Sequence, residues 1–364
     1  MEYPSKGAMT GRRWGWFAPP GAWWLLVALL ALAACNQNTP PNNKGASFGD
    51  QKNHIHSMLA LPGQSGVLLV GTHYGLYRTT NGGQTWKKVL GDPGELARNL
   101  MDVSLTVSPV DPQRVWVEAV SFPDLPKTNA GTPGIYTSTD DGATWSLVTA
   151  LSSLPSQTIY YMAAGASNAQ QLYIYLSPLQ GKGLYETLDA GAHWQALGTL
   201  PDTVSDGLVV DPAKAGHLWT YSPAGLFESA DNGAHWTPAQ GIKDGIYDAL
   251  LEGPIFYASG DDGTYVSQDG GAHFTLTLQN TRFGWMAGSA DNPGTAFGLT
   301  GTALYVTTDG GQTWKQVAIP PGNLLAPNLA MAPGSGQQVY LGNSYPVTIY
   351  ASANGGQQWS QVAP

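Results

Sequence analysis

The sequence predicts an all-β fold, a seven-bladed β-propeller of four-stranded antiparallel blades. One eight-residue pattern, Ser/Thr-x-Asp/Asn-x-Gly-x-x-Trp/Phe, occurs seven times. Its closing aromatic residues are separated by 59, 49, 42, 38, 40 and 45 residues, a spacing typical of repeat proteins. Short β-rich runs bounded by Gly, Pro, Asn and Asp lie between the copies, and helical periodicity is absent after residue 50.

Each copy of the pattern predicts a tight turn between two strands. The Ser/Thr hydroxyl and the Asp/Asn side chain can bond nearby backbone N–H groups, and the glycine suits a positive φ. The closing aromatic ring begins the return strand and offers a large packing face. The pattern residues are, in chain order, Thr79, Asn81, Gly83 and Trp86; Ser138, Asp140, Gly142 and Trp145; Thr187, Asp189, Gly191 and Trp194; Ser229, Asp231, Gly233 and Trp236; Ser267, Asp269, Gly271 and Phe274; Thr307, Asp309, Gly311 and Trp314; Ser352, Asn354, Gly356 and Trp359.

The same order of four strands recurs around each copy. Radial stacking of such units buries both faces of every sheet and leaves only short edges, which favours a propeller. The strands predicted for the first blade are 56–61, 66–72, 75–79 and 85–89. Those predicted for the fourth blade are 207–211, 217–221, 225–229 and 235–238.

The pattern resembles the Asp-box, also called the bacterial neuraminidase repeat. Sialidases, xyloglucan-active glycoside hydrolases, sortilin-type receptors and photosystem II assembly-factor-like propellers share it. Asn81, Asn354 and Phe274 depart from the consensus but keep the turn-forming carbonyl or the packing ring. The resemblance covers residues 54–364. It implies the fold and a structural box hairpin remote from the binding face, and it implies no single activity.

The N-terminus has the features of a targeting segment. Lys6, Arg12 and Arg13 precede an apolar run over residues 23–34 that is short for a membrane span and typical of a signal peptide. The run ends in Leu-Ala-Ala-Cys35, which resembles the bacterial lipobox, and Cys35 is the only cysteine. The resemblance implies a lipid on Cys35; the alternative is an ordinary cleavage site with an incidental cysteine.

These features divide the chain into three parts. We predict a lipoprotein signal peptide over residues 1–34, a lipid-anchored flexible tether over 35–53 and the propeller over 54–364. The expected location is the bacterial cell envelope, on the outer side of the cytoplasmic membrane or in an outer membrane where one exists. With no second cysteine, the mature protein has no disulfide, so its stability must come from the core.

The charge balance excludes two classes of partner. Residues 1–34 hold three basic residues and one acidic residue, so the remainder has 13 Lys and Arg against 24 Asp and Glu. This excess of acid argues against nucleic acid and against electrostatic attachment to anionic lipid. We predict a monomer whose contact with the membrane is made through lipidated Cys35.

The loops opposite the boxes are the expected place for function, because loops on a rigid scaffold carry binding residues more often than the scaffold does. The longest insertion, residues 121–134, lies among them. Exposed aromatic rings there could stack on sugars or on peptide side chains, although packing is the alternative for each. The candidate binding-face residues are Tyr74, Arg98, Phe122, Asp124, Asp244, Arg282, Trp285 and Tyr345.

Catalysis is less well supported than binding. Sialidase chemistry needs three converging arginines, and beyond residue 34 the chain has only four, two of them expected on the box side. A xyloglucanase-like hydrolase needs two carboxylates across a cleft. The acids able to reach the open face are scattered, so no catalytic residue is assigned: Asp124, Asp202, Asp206, Asp244, Asp248, Asp261 and Asp262.

The histidines suggest no metal site from sequence. His193, His235 and His273 share one position in the pattern, which indicates a structural role. His54 and His56 would share one strand face and could bind a metal if His73 joined them. Without a cysteine or glutamate at zinc spacing, we interpret them as part of a solvated first strand, and we predict no metal and no cofactor.

Together these observations favour a non-catalytic platform that binds protein or glycan outside the membrane. The alternative is a single-propeller glycoside hydrolase, sialidase-like or xyloglucanase-like, that uses paired carboxylates on the open face.

Overall fold

The computed structural model describes residues 48–363 apart from 93–96, 123–124, 126, 177–182, 203–204, 323 and 335. The signal peptide, Cys35, residues 35–47 of the tether and Asp124 lie outside the described residues. The described part of the chain has no helix whose length and hydropathy would let it span a bilayer.

Within that part, 28 strands form seven four-stranded sheets. The first four blades are β1 (Ile55–Ala60), β2 (Leu68–Thr72), β3 (Gly75–Thr79) and β4 (Lys87–Leu90); β5 (Met101–Val107), β6 (Val115–Val120), β7 (Gly134–Ser138) and β8 (Ser146–Ala150); β9 (Ile159–Ala164), β10 (Leu172–Leu176), β11 (Leu184–Thr187) and β12 (Gln195–Gly198); β13 (Gly207–Val210), β14 (Leu218–Ser222), β15 (Gly225–Ser229) and β16 (Thr237–Pro238). The last three are β17 (Ile246–Glu252), β18 (Ile255–Gly260), β19 (Gly263–Ser267) and β20 (Thr275–Gln279); β21 (Trp285–Gly288), β22 (Ala296–Leu299), β23 (Leu304–Thr307) and β24 (Lys315–Val317); β25 (Asn328–Met331), β26 (Val339–Asn343), β27 (Thr348–Ser352) and β28 (Ser360–Ala363).

The predicted seven-bladed propeller is confirmed. In every sheet the strands pair antiparallel in chain order. The first strands of successive blades contact one another around a ring, from β1 to β5 and onward until β25 returns to β1. They are therefore the innermost strands. Side chains close the ring between the last blade and the first: Trp86 Nε1 donates to the Val362 carbonyl at 2.9 Å, and Ser344 Oγ donates to the Ile55 carbonyl at 3.1 Å.

The seven box hairpins share one hydrogen-bond pattern. In the second blade, Ser138 Oγ donates to Asp140 at 2.8 Å, the Gly142 N–H donates to Ser138 Oγ at 2.9 Å, and the Thr144 N–H donates to Asp140 at 2.8 Å. The same three bonds recur in every other copy. The box glycines all have φ between 77° and 102°, as predicted. The box is thus a local turn held by its own side chains.

Each box hairpin also lies beside the turn that joins the first two strands of its blade. A backbone N–H of the box donates to a carbonyl of that turn in all seven blades, for example Asn232 to Gly216 at 2.8 Å and Gly310 to Gly294 at 2.9 Å. We call this side the box face. Since the strands alternate in direction, the starts of the innermost strands, the second-to-third-strand loops and the blade-joining loops lie on the opposite side, the open face.

Large aromatic side chains fill the space between blades. Trp219 of β14 lies edge-to-face against Phe256 of β18, with ring centroids 5.0 Å apart. The box glycine of the fifth blade, Gly271, packs so closely on Trp219 that a Cβ there would come within 2.9 Å of its ring. Each box thereby contributes to the packing of one blade on the preceding one, in addition to forming a turn.

Candidate functional site

Four innermost strands carry a β-bulge at their open-face ends. In β1, Ile55 pairs with Thr72 and Ser57 pairs with Gly71, so that His56 is the extra residue. The same shift occurs near the starts of β5, β9 and β17. Bulges re-aim side chains and occur often beside binding sites. The four bulge residues are His56, Val103, Tyr160 and Tyr247, and each is at least partly exposed.

Tyrosines and acids surround the bulge of the third blade. Tyr160 has 44% of its surface exposed and lies edge-on to Tyr175, with ring centroids 6.4 Å apart. Tyr161 stacks on the same ring at 5.2 Å and hydrogen-bonds Ser205 Oγ at 2.8 Å. Burial raises the pKa of Asp206 to about 6, and the nearby Asp202 carboxylate contributes a smaller part of this increase. An exposed ring therefore lies in the same region as two neighbouring acids.

The fifth-blade bulge is held by ionic contacts. Arg282 lies over the ring of Tyr247 at 4.8 Å and pairs with Asp261 at 3.3 Å, while the Tyr247 hydroxyl donates to Asp261 at 3.0 Å. Arg282 keeps 43% of its side chain exposed. Asp244 lies nearby, and its carboxylate accepts hydrogen bonds from the Tyr265 hydroxyl at 2.7 Å and from the Asp262 N–H at 2.5 Å. These groups give the open face an ordered cation beside an aromatic ring.

Asp248 is a structural acid. It accepts hydrogen bonds from the Met286 N–H at 2.6 Å and from the Ala249 N–H at 3.0 Å. Burial raises the pKa of Asp248 to about 7, although these two backbone bonds act in the opposite direction. Asp244, Asp248 and Asp261 are thus engaged within the chain. Asp202 and Asp206 are neighbouring acids, and a hydrolase would require such a pair.

The first-blade bulge belongs to a group of three histidines. His54 and His73 are buried, with 4% and 2% of their surfaces exposed, and His56 is partly exposed. The interpretation of a solvated first strand is therefore wrong. The bulge, together with a hydrogen bond from the His73 N–H to the His54 carbonyl at 3.1 Å, brings all three rings together.

Three of the four candidate aromatic residues surround these histidines. Tyr345 stacks on His54 at 5.1 Å, and Tyr74 and Phe122 lie edge-on to His73 at 4.9 and 4.6 Å. The fourth, Trp285, begins β21 and packs against the core between the sixth and seventh blades. Sequence spacing did not indicate that residues of three different blades would meet here.

The remaining charged candidate on this side, Arg98, belongs to the loop that joins the first two blades. Its carbonyl accepts from the Gly131 N–H at 2.7 Å, which ties this loop to the long insertion. Its Nε is buried and has no hydrogen-bond partner among the described residues.

The box histidines occupy the structural position predicted for them. His193, His235 and His273 each place Nδ1 2.6–2.8 Å from the carboxylate of their own box. Hydrogen bonds from His193 lower the pKa of Asp189 to about 2, and those from His235 do the same for Asp231. These pairs are exposed and lie on the box face, remote from the open-face groups.

Comparison with known proteins supports the structural assignment. The BNR/Asp-box repeat family matches residues 305–316, the sixth copy of the pattern. The chain is a seven-bladed β-propeller whose sixth blade matches this repeat. No curated protein sequence matches it significantly.

Solved structures similar to this propeller include a xyloglucanase, a peptide-bound protein and a component of a secretion system. The GH74 xyloglucanase from Xanthomonas campestris has a TM-score of 0.63 at 18% identity, over 88% of this chain and 55% of the enzyme. YCF48 bound to D1 peptide has 0.59 at 16% identity, over 87% and 98%. PorZ, a surface component of the type-IX secretion system of Porphyromonas gingivalis, has 0.54 at 13% identity, over 85% and 38%. The chain spans about half the length of the xyloglucanase, and these likenesses concern the fold.

Proposed function

We propose that this propeller is a non-catalytic platform that binds a protein or glycan partner on its open face. The observation that carries the proposal is the recurrence of bulges at the open-face ends of the inner strands. They place three side chains suited to recognition, His56, Tyr160 and Tyr247, at the open face. Exposed aromatic rings stack on sugars and on peptide side chains, and Arg282 adds a cation. The peptide-bound YCF48 structure, which has a similar fold, is consistent with this use of a propeller.

Removing the exposed ring of Tyr160 in the third blade should weaken binding of the partner. We expect Tyr160→Ala to weaken binding of the full-length protein at least about fivefold, because a stacked aromatic side chain commonly contributes about 1–3 kcal/mol. Binding is measured on a glycan array and, for protein partners, by quantitative co-purification from envelope extracts. Leu188→Ala is the matched control, since Leu188 is 50% exposed within a box on the opposite face. Equal losses in both variants would contradict the proposal.

A glycoside hydrolase is the second candidate, and the neighbouring Asp202 and Asp206 favour it. An acid with a raised pKa beside a second carboxylate is the arrangement that glycosidases use. The array that measures binding also detects cleavage of the glycans. Released products that disappear in Asp206→Asn would replace the binding proposal with hydrolysis.

We also propose that Cys35 anchors the protein in the cell envelope through a lipid. The wild-type protein should incorporate a labelled fatty acid in bacterial cells, and Cys35→Ala should incorporate none, because the chain has no other cysteine. Asn36→Ala is the control and should remain labelled. Labelled Cys35→Ala, or unlabelled wild type, would refute the anchor.

A further inference from the structure

The strongest unexplained group in the structure is the histidine cluster at the closure of the ring. One ligand nitrogen from each of His54, His56 and His73 lies within 4.8 Å of the others. In tetrahedral zinc sites, nitrogen ligands lie at about 2.0–2.1 Å from the metal and hence about 3.3 Å from each other. Small rotations of the rings, moving each nitrogen by about 1 Å or less, close that difference. The backbone therefore already holds the three rings close together.

Two ring nitrogens of this cluster lack the hydrogen bonds that buried polar atoms normally make. His54 Nε2 and His56 Nε2 are buried and have no partner among the described residues. Buried polar atoms without partners call for a bound water or ion. The backbone of Lys52 hydrogen-bonds the His54 ring, and since Nε2 is unpartnered, the bonded atom is Nδ1. This contact fixes the tautomer that leaves the Nε2 lone pair available to a metal, as outer contacts do for metal-binding histidines.

The described cluster offers only imidazole ligands. No carboxylate or thiolate joins the three histidines among the described residues, so the site would carry the full charge of its ion.

We propose that His54, His56 and His73 bind one divalent transition-metal ion of the zinc class. Imidazole ligands suit Zn²⁺, Cu²⁺ and Ni²⁺ and disfavour Mg²⁺ and Ca²⁺. Three protein ligands leave a fourth coordination position for water or another ligand. The site goes beyond the proposed binding function and does not depend on it.

The site also lies where it can stabilise the closed ring. His54 precedes β1, the strand that contacts β25 and β26 of the last blade. Tyr345 of the last blade stacks on His54, and Ser344 Oγ bonds the Ile55 carbonyl. A metal would join the start of β1 to the β2–β3 loop beside this seam. Metal binding should therefore raise the melting temperature as well as being measurable directly.

The test measures zinc on the purified full-length protein. After equilibration with Zn²⁺ and gel filtration, the wild type should retain one equivalent and melt at a higher temperature than the chelator-treated protein. His56→Ala should lose both the metal and the zinc-dependent shift. His235→Ala, which removes an exposed box histidine, should behave as wild type. Wild type without bound zinc, or His56→Ala retaining it with unchanged affinity, would overturn the proposal.

A second readout does not depend on the variants folding. Co²⁺ added to the zinc-free wild type should give the intense visible absorption of a tetrahedral ion with nitrogen ligands, and Zn²⁺ should abolish it. The weak spectrum of hydrated Co²⁺ would overturn the site. Circular dichroism and the metal-free melting temperature of His56→Ala separate lost ligation from lost structure.

Discussion

Trp219→Ala should destabilise the propeller by about 3–5 kcal/mol, the range for removing a large aromatic side chain from a core. Trp219 has no exposed surface and fills the interface between the fourth and fifth blades. It contacts Phe256 edge-to-face, His217 at 4.0 Å between ring centroids, and the box glycine Gly271. Because the backbone of a closed ring cannot collapse easily into the space, much of the cavity should remain. Urea unfolding measures the loss as a shift in midpoint.

Trp219→Phe is the matched control for this change. The indole Nε1 of Trp219 is buried and has no partner among the described residues, so phenylalanine removes no hydrogen bond there. Its smaller ring leaves only a partial cavity, and we expect about 1–2 kcal/mol of lost stability. A loss of less than about 1 kcal/mol in Trp219→Ala would show that the blade interface repacks and that this ring does not determine its stability.

The fold was predictable from sequence because the hydrogen bonds of each box are local. Its hydroxyl, carboxylate and glycine form their hydrogen bonds within seven residues, so that a short pattern specifies the hairpin without tertiary information. Strand bounds in the first and fourth blades were predicted within about two residues, and β3 and β15 were predicted without error. Register and ring order then follow from seven repetitions of one unit.

The candidate site was less predictable because it depends on irregularities. A bulge shifts the strand register by one residue. The sequence around His56, Tyr160 and Tyr247 contains no pattern that predicts this shift. His54 and His73 are also 19 positions apart, and they meet only through the pairing of β1 with β2. The useful sequence signal was the pair His54-x-His56 followed by a histidine at a strand-joining loop. Only the burial of His54 and His73 in the structure shows that these histidines form a cluster.

Glu118 is a buried acid whose ionisation should lower the stability of the fold. It lies in β6 with neighbours on both sides, Ser104 of β5 and Ile135 of β7, and only 4% of its surface is exposed. Burial raises the pKa of Glu118 from 4.5 to about 8. The folded protein therefore keeps this proton at a pH where the unfolded chain has lost it. As a result, stability falls as pH rises from about 4.5 to 8, the reverse of the trend for a salt-bridged carboxylate.

Glu118→Gln should remove this pH dependence. Glutamine keeps the size of the side chain and cannot ionise, so the variant should match the wild type near pH 4.5. It should exceed the wild type by about 3–5 kcal/mol above pH 8, where the buried carboxylate of the wild type must ionise. Asp262→Asn, which neutralises an exposed acid, is the control and should leave the slope unchanged. Urea unfolding from pH 4.5 to 9 measures the difference. Parallel curves for Glu118→Gln and the wild type would mean that Glu118 is solvated or ion-paired in the folded state.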